Sequence, residues 1–215
     1  VMSAEGRETR RLTDDPVRVF NPDWSPDGKQ IVYVTERFGY SELMLQNVTT
    51  GQETRLTSND SADSGPAWSP DGQRIAFVSD RDKRWDNNIY VMKADGSDVR
   101  MMEATPDDEL APAWSPDGRY LTYTSGFSNM TIFLADLDTG KVSPLFTNNF
   151  VGYDTPNWSP DGRYISYSAD NSNEGFNVIY LMDTACVAQP ESCPASTQRL
   201  NSGAAMYFNP RWRPG

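Results

Sequence analysis

In four stretches of the chain, large and small residues alternate with a period of two. The first stretch places Ile31 and Tyr33 on one side, with the smaller Val32 and Val34 on the other. The same alternation starts again at Ile75, Leu121 and Ile165. A period of two is that of a β-strand, and a strand with a large and a small face suits sheets that stack face to face.

Each alternating stretch belongs to a longer repeat. The segments NPDWSPDGKQIVYVT, GPAWSPDGQRIAFVS, APAWSPDGRYLTYTS and TPNWSPDGRYISYSA align without a gap, and NPRWRPG begins a fifth copy. Spacings of 44, 46, 44 and 54 residues separate the equivalent tryptophans, Trp24, Trp68, Trp114, Trp158 and Trp212. A period of about 40–45 residues is that of a four-stranded propeller blade. Because they recur at one blade position, these tryptophans are predicted to be core residues.

The motif Ser-Pro-Asp-Gly follows the tryptophan in four copies and predicts a hairpin turn. Proline suits the second position of a type I turn, and glycine adopts a left-handed backbone at little cost. Aspartate side chains stabilise such turns through hydrogen bonds. We therefore predict a turn role, and no catalytic one, for Asp27, Asp71, Asp117 and Asp161.

The remaining segments complete an all-β pattern. A third strand is predicted in ELMLQN, NIYVMKAD, TIFLADLD and VIYLMDT, and a fourth in ETRLT, DVRMME, KVSPLF and TQRL. No segment has sustained helical periodicity, so we predict an all-β fold, a β-propeller of four-stranded blades. The predicted single domain comprises the end of a preceding blade (1–19), four full blades (20–63, 64–109, 110–153 and 154–205) and the first strand of a closing blade (206–215).

Both ends of the chain fall inside a repeat. Residues 1–6 align with residues 91–96 of a third strand, and the segment 209–212 is a first strand without the strand that should follow it. We therefore expect this chain to be a fragment of a propeller with five or more blades.

The WSPDG motifs resemble the repeats of the TolB-like β-propeller family, which is related to WD-type repeats, and the resemblance covers nearly the whole chain. It implies a bacterial propeller outside the cytoplasm that docks a protein or peptide partner, including one in a membrane-associated complex. Similar repeats also occur in propellers attached to prolyl-oligopeptidase-like peptidases and to kinases or sensors. The fold alone does not choose among these functions.

Composition excludes several other functions. The chain has 19 Lys and Arg against 30 Asp and Glu, a net charge of −11, and such a surface repels nucleic acid. It has no histidine, which removes the Ser-His-Asp and Cys-His mechanisms and every His-ligated metal site. No stretch approaches the roughly 20 apolar residues of a transmembrane segment. We therefore expect no catalytic residue and no cofactor in this chain.

Cys186 and Cys193 lie in ACVAQPESCP, an insertion that lengthens the last repeat. An even pair of cysteines in a short, proline-containing loop between two strands predicts a local disulfide. A disulfide places the protein in an oxidising compartment, either periplasmic or extracellular. The alternative is a pair of free thiols in a reducing compartment.

In a propeller, the loops from a fourth strand to the next blade share one face with the loops from a second strand to a third. Here these loops carry the sequence variation, and binding residues usually lie on loops of a rigid scaffold. The candidate partner-binding residues are Asp60, Asp63, Arg81, Arg84, Trp85, Asp107, Asp108 and Asp154.

Two of these assignments have alternatives. Trp85 is the one tryptophan outside the repeat position. An exposed aromatic ring beside arginine suits an interface anchor, and the alternative is that Trp85 packs against a neighbouring blade. The acidic loops suit a solvated face, a basic partner or a structural Ca²⁺ site, although no segment has the spacing of a Ca²⁺-binding loop.

Three functions are compatible with the sequence. The favoured one is a non-catalytic, extracytoplasmic interaction scaffold. The second is the propeller of a larger enzyme, such as a prolyl-oligopeptidase-like peptidase, with its catalytic domain outside these residues. The third is an enzyme that acts on carbohydrates through paired carboxylates, which need a defined separation. With 30 acidic residues, some pair arises by chance, so the sequence does not support this third function.

Overall fold

The computed structural model describes residues 1–2, 9–102, 105, 107–126, 131–147, 156–171, 176–188, 192–193, 196–200 and 212. Within them, the strands form four antiparallel sheets, each of four strands that neighbour one another in chain order. Each sheet corresponds to one predicted blade, so the all-β propeller fold is confirmed. The division of the whole chain into a single domain stays a prediction.

The strands have the following bounds. The first blade contains β1 (Val19–Trp24), β2 (Gln30–Thr35), β3 (Glu42–Asn47) and β4 (Glu53–Arg55). The second contains β5 (Asp63–Trp68), β6 (Arg74–Ser79), β7 (Asn88–Lys93) and β8 (Arg100–Met101). The third contains β9 (Glu109–Trp114), β10 (Tyr120–Ser125), β11 (Thr131–Asp136) and β12 (Val142–Thr147). The fourth contains β13 (Asn157–Trp158), β14 (Tyr164–Asn171), β15 (Phe176–Asp183) and β16 (Thr197–Arg199).

The first strand of every blade is the innermost one. These strands lie at one edge of their own sheets, and they contact one another from blade to blade. An edge strand tolerates proline because one row of its N–H groups has no partner in the sheet. This explains why the repeat places a proline two residues before the tryptophan, as at Pro22, Pro66 and Pro112.

A bulge precedes each of these prolines. The backbone is left-handed at Asn21, Gly65 and Ala111, with φ of 46°, 55° and 58°. The pairing with the second strand shifts register at the same place in all three blades. The bulge therefore belongs to the repeat, since it occurs with three different residue types.

The repeated tryptophan joins each blade to the blade before it. The indole N–H of Trp114 donates to the carbonyl oxygen of Ala67 at 3.0 Å. Trp212 makes the same bond to Asn157 at 3.0 Å. Trp158 donates instead to Oγ1 of Thr122, also at 3.0 Å. The indole N–H groups of Trp114, Trp158 and Trp212 are thus hydrogen-bonded across a blade junction.

Trp24 differs from the other tryptophans of the repeat. The predicted burial is confirmed for Trp68 and Trp114, which are 7% and 8% exposed, but the prediction is wrong for Trp24, which is 45% exposed. In the third and fourth blades the ring of the repeated tryptophan lies against the preceding blade, whereas no blade precedes the first one among the described residues. The same side chain is therefore core or surface according to its blade neighbour.

Hydrogen bonds confirm the turn role of the Ser-Pro-Asp-Gly motif. The hydroxyl of Ser25 donates to Oδ1 of Asp27 at 2.7 Å and accepts the N–H of Gln30 at 2.9 Å. Equivalent bonds recur in the other three blades. The Ser25 hydroxyl holds the pKa of Asp27 below its usual value, so this carboxylate stays ionised in its turn.

The insertion in the last repeat forms a disulfide, as predicted. Cys186 and Cys193 are bonded, with their Cα atoms 4.9 Å apart, and both are buried beside Met182 and Ile165. A short 3-10 helix, Thr184–Ala188, carries the first cysteine. None of the described residues forms a helix with the length and apolar character of a membrane span.

The structure describes no strand between residues 9 and 18, although these residues pack on the first blade. Leu12 lies against a small cluster that contains Tyr33 and Met44, and the side chain of Arg37 binds both Asp15 and Glu53. The predicted closing strand, residues 206–215, lies outside the described residues apart from Trp212.

Gly96 and Gly51 test how closely the turns pack against neighbouring blades. Both have a left-handed backbone, with φ of 86° and 74°. A Cβ added to Gly96 would lie 2.8 Å from the carbonyl oxygen of Leu56, whereas one added to Gly51 would meet nothing within 4 Å. We expect Gly51→Ala to lower the free energy of unfolding by about 1 kcal/mol and Gly96→Ala to lower it clearly more. Urea unfolding measures both, and equal losses would contradict the close packing.

Candidate docking face

The loops predicted to share one face do lie together. The backbone N–H of Asp63, where the second blade begins, donates to Ser41 in the loop before β3 at 2.8 Å. The N–H of Asn87, before β7, donates to Oδ1 of Asp108 at 2.8 Å. We call the described residues of the loops 36–41, 56–62, 80–87 and 102–108 the loop face.

Trp85 stands at the tip of the loop 80–87. Its side chain is 85% exposed, and its backbone is left-handed, with φ of 66°. The buried carboxylate of Asp80 accepts the N–H of Trp85 at 3.2 Å and the N–H of Ala62 at 2.8 Å. The loop is thereby tied both to itself and to the neighbouring loop.

This conformation of Trp85 is unusual. Bulky residues rarely adopt a left-handed backbone, and such strain persists where surrounding contacts impose it. Here Asp80 holds the amide of Trp85, and Lys83 binds Asp86 through a backbone hydrogen bond of 3.0 Å and an ion pair of 2.9 Å. The sequence allowed either an interface anchor or packing on a neighbouring blade. The structure excludes the packing, because the ring lies in solvent.

Arg84 lies beside Trp85 and is held over the first blade. Its guanidinium donates to the hydroxyl of Tyr40 at 2.6 Å and to the backbone carbonyl of Asp60 at 3.3 Å. The Asp60 side chain is exposed, in agreement with its placement on the loop face. Tyr40 and Phe38 are 39% and 40% exposed, and sequence reasoning missed both. The sequence feature that could have indicated them is the presence of two aromatic residues in the loop after β2.

Asp63 and Arg81 were predicted to bind a partner, but in the structure they pair with each other. Asp63 is fully buried, and its carboxylate binds Nη2 of Arg81 at 2.9 Å and the amide of Asn59 at 2.7 Å. The guanidinium of Arg81 also lies 4.8 Å from the ring centre of Tyr90. Asp63 is therefore removed from the candidate contact residues, because its buried carboxylate is bonded to Arg81 and Asn59 and is not accessible to a partner.

The remaining candidates lie at the junction of the second and third blades or outside the described residues. Asp107 is exposed, whereas the partly buried carboxylate of Asp108 is used to hold the loop before β7. Asp154 lies outside the described residues. The candidate surface therefore consists of Trp85, Arg84, Asp60 and Asp107, together with the aromatic residues of the loop after β2.

Buried acids fix these loops from within. Glu109 is fully buried and accepts the N–H of Ile89 at 2.9 Å and that of Thr105 at 2.6 Å. Burial raises the pKa of this carboxyl group. Glu42 has a similar position in the first blade, where it binds Arg55 and Thr57. Glu109 thus accepts backbone N–H groups on both sides of the loop 102–108, so buried carboxylates hold the chain beneath the loop face.

Within the described part of the chain, no group of three Asp, Glu or Cys side chains is arranged to hold a metal ion. Exposed aromatic rings beside arginine are typical of residues that dominate protein interfaces.

Comparison with known proteins identifies relatives of the chain. A family model described as the TolB beta propeller domain matches residues 1–187. The Tol-Pal system protein TolB of Hahella chejuensis is 36% identical over 58 residues, which are 27% of this chain and 14% of that protein. A Bacillus subtilis protein named uncharacterized peptidase YuxL is 44% identical over 54 residues, 25% of this chain and 8% of that protein.

A solved structure shares the fold over a longer range. The structure of a putative TolB from Agrobacterium tumefaciens superposes with a TM-score of 0.77 at 23% identity and covers 96% of this chain and 70% of that one. At this identity the likeness shows the fold alone. The curated relatives, in contrast, are matched over only a small part of their own length.

Trp85→Gly tests whether the Trp85 ring contributes to the fold. We expect its free energy of unfolding to stay within about 1 kcal/mol of the unchanged protein, because glycine adopts the left-handed backbone at little cost. Trp85→Val removes the same ring but places a β-branched residue there, so we expect it to be the less stable variant. A loss of more than about 2 kcal/mol in Trp85→Gly, by chemical denaturation, would show that the ring packs on the protein.

Proposed function

Because the chain belongs to the TolB β-propeller domain family, we propose that it is a non-catalytic scaffold that binds a protein partner outside the cytoplasm. The observation that carries the proposal is Trp85, an exposed ring on a strained backbone that the buried carboxylate of Asp80 holds in place. Such strain without a packing benefit suits a residue that gains its contacts from a partner. Arg84 and Tyr40 supply the neighbouring groups of an interface anchor.

The proposed compartment rests on the disulfide and on family membership. The bond between Cys186 and Cys193 favours an oxidising environment, which for a bacterial protein is the periplasm or the exterior. The net charge of −11 disfavours nucleic acid as the partner. The TolB relative is named a Tol-Pal system protein. We infer that the partner of this chain is a protein component of a comparable membrane-associated system.

Site-specific photo-crosslinking tests the loop face directly. A photoreactive phenylalanine analogue is placed at position 85 and, as the matched control, at Met101, which is 45% exposed on the outer strand β8. The protein is expressed in its natural host, and crosslinked products are identified by mass spectrometry. We expect a defined protein adduct from position 85 and none from position 101. Equal adducts from both positions, or none from position 85, would contradict the proposal.

The partner so identified also gives an affinity test. We expect Trp85→Ala to weaken its binding by about 30-fold or more, the effect of losing a central aromatic anchor, while leaving the unfolding midpoint unchanged. Arg84→Ala is expected to weaken binding as well, because it removes a guanidinium from the same surface. Unchanged affinity in both variants would place the interface elsewhere on the propeller.

A second candidate function is the propeller of a larger peptidase. The observation in its favour is the similarity to the Bacillus subtilis protein named a peptidase. The two functions differ in the whole natural polypeptide, since a peptidase needs a nucleophile that a Gly-x-Ser-x-Gly motif would provide. Labelling of the natural full-length protein by a fluorophosphonate probe favours the peptidase, and absence of labelling favours the scaffold.

A further inference from the structure

Arg84 carries a charge on the loop face that the described part of the protein does not neutralise. Its guanidinium bonds to two neutral oxygens, the hydroxyl of Tyr40 and the backbone carbonyl of Asp60, and it forms no ion pair with a described residue. The residue is exposed. Because a guanidinium is charged at every physiological pH, this surface presents a cation that lacks a counter-ion from the described residues.

The arginines that recur in the repeat are, in contrast, paired with acids. Arg37 and Arg81 each lie two residues after the end of a second strand, and both form ion pairs with carboxylates of the protein. Arg84 lies further along the loop 80–87, which is longer than the corresponding loop 36–41 of the first blade. Arg84 is therefore not one of the arginines that the repeat uses to neutralise its own acids.

The other charged side chains of the loop 80–87 are bonded within the protein. Besides Arg81, they are Asp80, which accepts two backbone N–H groups, Asp82, which accepts the hydroxyl of Tyr90, and Lys83 and Asp86, which pair with each other. None of these groups is an ion-pair partner of Arg84. The loop thus leaves one charge for a group that comes from outside the described residues.

The groups around Arg84 that remain open are hydrogen-bond donors. Both hydrogen bonds of Arg84 use Nη2, so Nε and Nη1 have no acceptor among the described residues. The hydroxyl of Tyr40 accepts from Arg84 and keeps its own proton for a second bond. Trp85, 85% exposed, adds an indole N–H that no described residue accepts. Since arginine and tryptophan side chains donate and do not accept, a partner must supply the acceptors.

Arg84 is also held in one position before a partner binds. Nη2 lies 2.6 Å from the hydroxyl of Tyr40, and the guanidinium lies 5.2 Å from the centre of the Tyr40 ring. A side chain that is already ordered loses less conformational entropy when it binds. The adjacent Trp85 ring supplies exposed apolar area beside this cation.

We propose that the protein partner places the carboxylate of a glutamate or aspartate side chain against Arg84, with an apolar residue beside it on the Trp85 ring. This inference rests on the proposed function, because it describes the partner of the same surface. The carboxylate supplies acceptors for the open donors of Arg84, Tyr40 and Trp85. A hydrogen bond between a guanidinium and a carboxylate is shorter and stronger than one between neutral groups, so this contact contributes to the choice of partner.

The net charge of −11 opposes an acidic partner at long range but does not decide the contact. Exposed charges more than about 8 Å apart are largely screened at physiological ionic strength. The exposed residue Asp60 is bound by Arg84 through its backbone carbonyl, so its carboxylate lies close to the site. We expect Asp60→Asn to strengthen binding of an acidic side chain, and weaker binding in this variant would contradict the site.

Nuclear magnetic resonance tests the site with acetyl-Glu-Leu-amide as the probe, at constant ionic strength. We expect a saturable shift of the Trp85 indole N–H in the ¹⁵N-labelled protein, with a dissociation constant of roughly 1 mM or more for so small a fragment. The matched control, acetyl-Gln-Leu-amide, has a similar shape without the charge, and we expect it to bind at least about fivefold more weakly. Equal affinity for both peptides, or no saturable shift with the glutamate peptide, would overturn the inference.

Two matched variants locate the binding on the protein. Arg84→Gln removes the unpaired guanidinium, and we expect it to weaken binding of the glutamate peptide by about fivefold. Arg163→Gln removes a comparable guanidinium on the turn side, which is exposed, lies 5.4 Å from the ring centre of Tyr164 and forms no ion pair with a described residue. We expect this control to leave binding unchanged. Equal effects of the two variants would mean that only net charge matters and would overturn the inference.

The partner captured by crosslinking at position 85 separates this inference from the proposed function. We expect Arg84→Gln to weaken its binding by about tenfold and Arg163→Gln to leave it unchanged. A partner that is captured but binds both variants equally overturns the carboxylate contact and leaves the proposed function intact. Absence of an adduct from position 85 contradicts the proposed function and removes the partner on which this inference rests.

Discussion

The contact between the repeated tryptophan and the preceding blade is the interaction on which the rest of this structure depends. A four-stranded sheet buries its faces only against neighbouring sheets, so a blade is not stable alone. Trp114 and Trp158 fill the junction with a large apolar ring and also satisfy a polar group of the blade before. Where that blade is missing from the described residues, as at Trp24, the ring is exposed. The junction of the first and second blades is also held by Asp23, whose carboxylate accepts the backbone N–H of Trp68 at 2.8 Å.

A scaffold joined in this way has two sides with different tasks. On the loop side, buried acids such as Asp63 and Glu109 hold backbone and arginine groups, and Asp80 fixes the exposed Trp85. On the turn side, the serine hydroxyl of each Ser-Pro-Asp-Gly turn donates to the aspartate of the same turn, and the disulfide-closed insertion around Cys186 departs from the repeat. The proposed binding surface therefore uses residues outside the repeat, such as Trp85, because the repeated residues stabilise the blades and their turns.

Much of the fold was predictable because the repeat carries it. Four copies of one motif indicate the blades, the turn and the core tryptophans, and the short spacing of Cys186 and Cys193 indicates the disulfide. The candidate site was less predictable, since exposure depends on tertiary neighbours. Aspartate usually lies on the surface, yet Asp63 is buried, where its carboxylate forms an ion pair with Arg81. Tryptophan is usually buried, yet Trp85 is exposed, and its backbone N–H is bonded to Asp80.

Two single substitutions at equivalent blade junctions test the role of the repeated tryptophan most directly. Trp114 and Trp68 are about equally buried, but the indole N–H of Trp114 binds Ala67 whereas that of Trp68 has no hydrogen-bond partner among the described residues. Substitution by phenylalanine removes the indole N–H and the same side-chain volume at both positions. If the indole bond joins the blades, Trp114→Phe lowers the free energy of unfolding by about 1 kcal/mol more than Trp68→Phe. Equal losses, or a larger loss at Trp68, would contradict this role of the tryptophan.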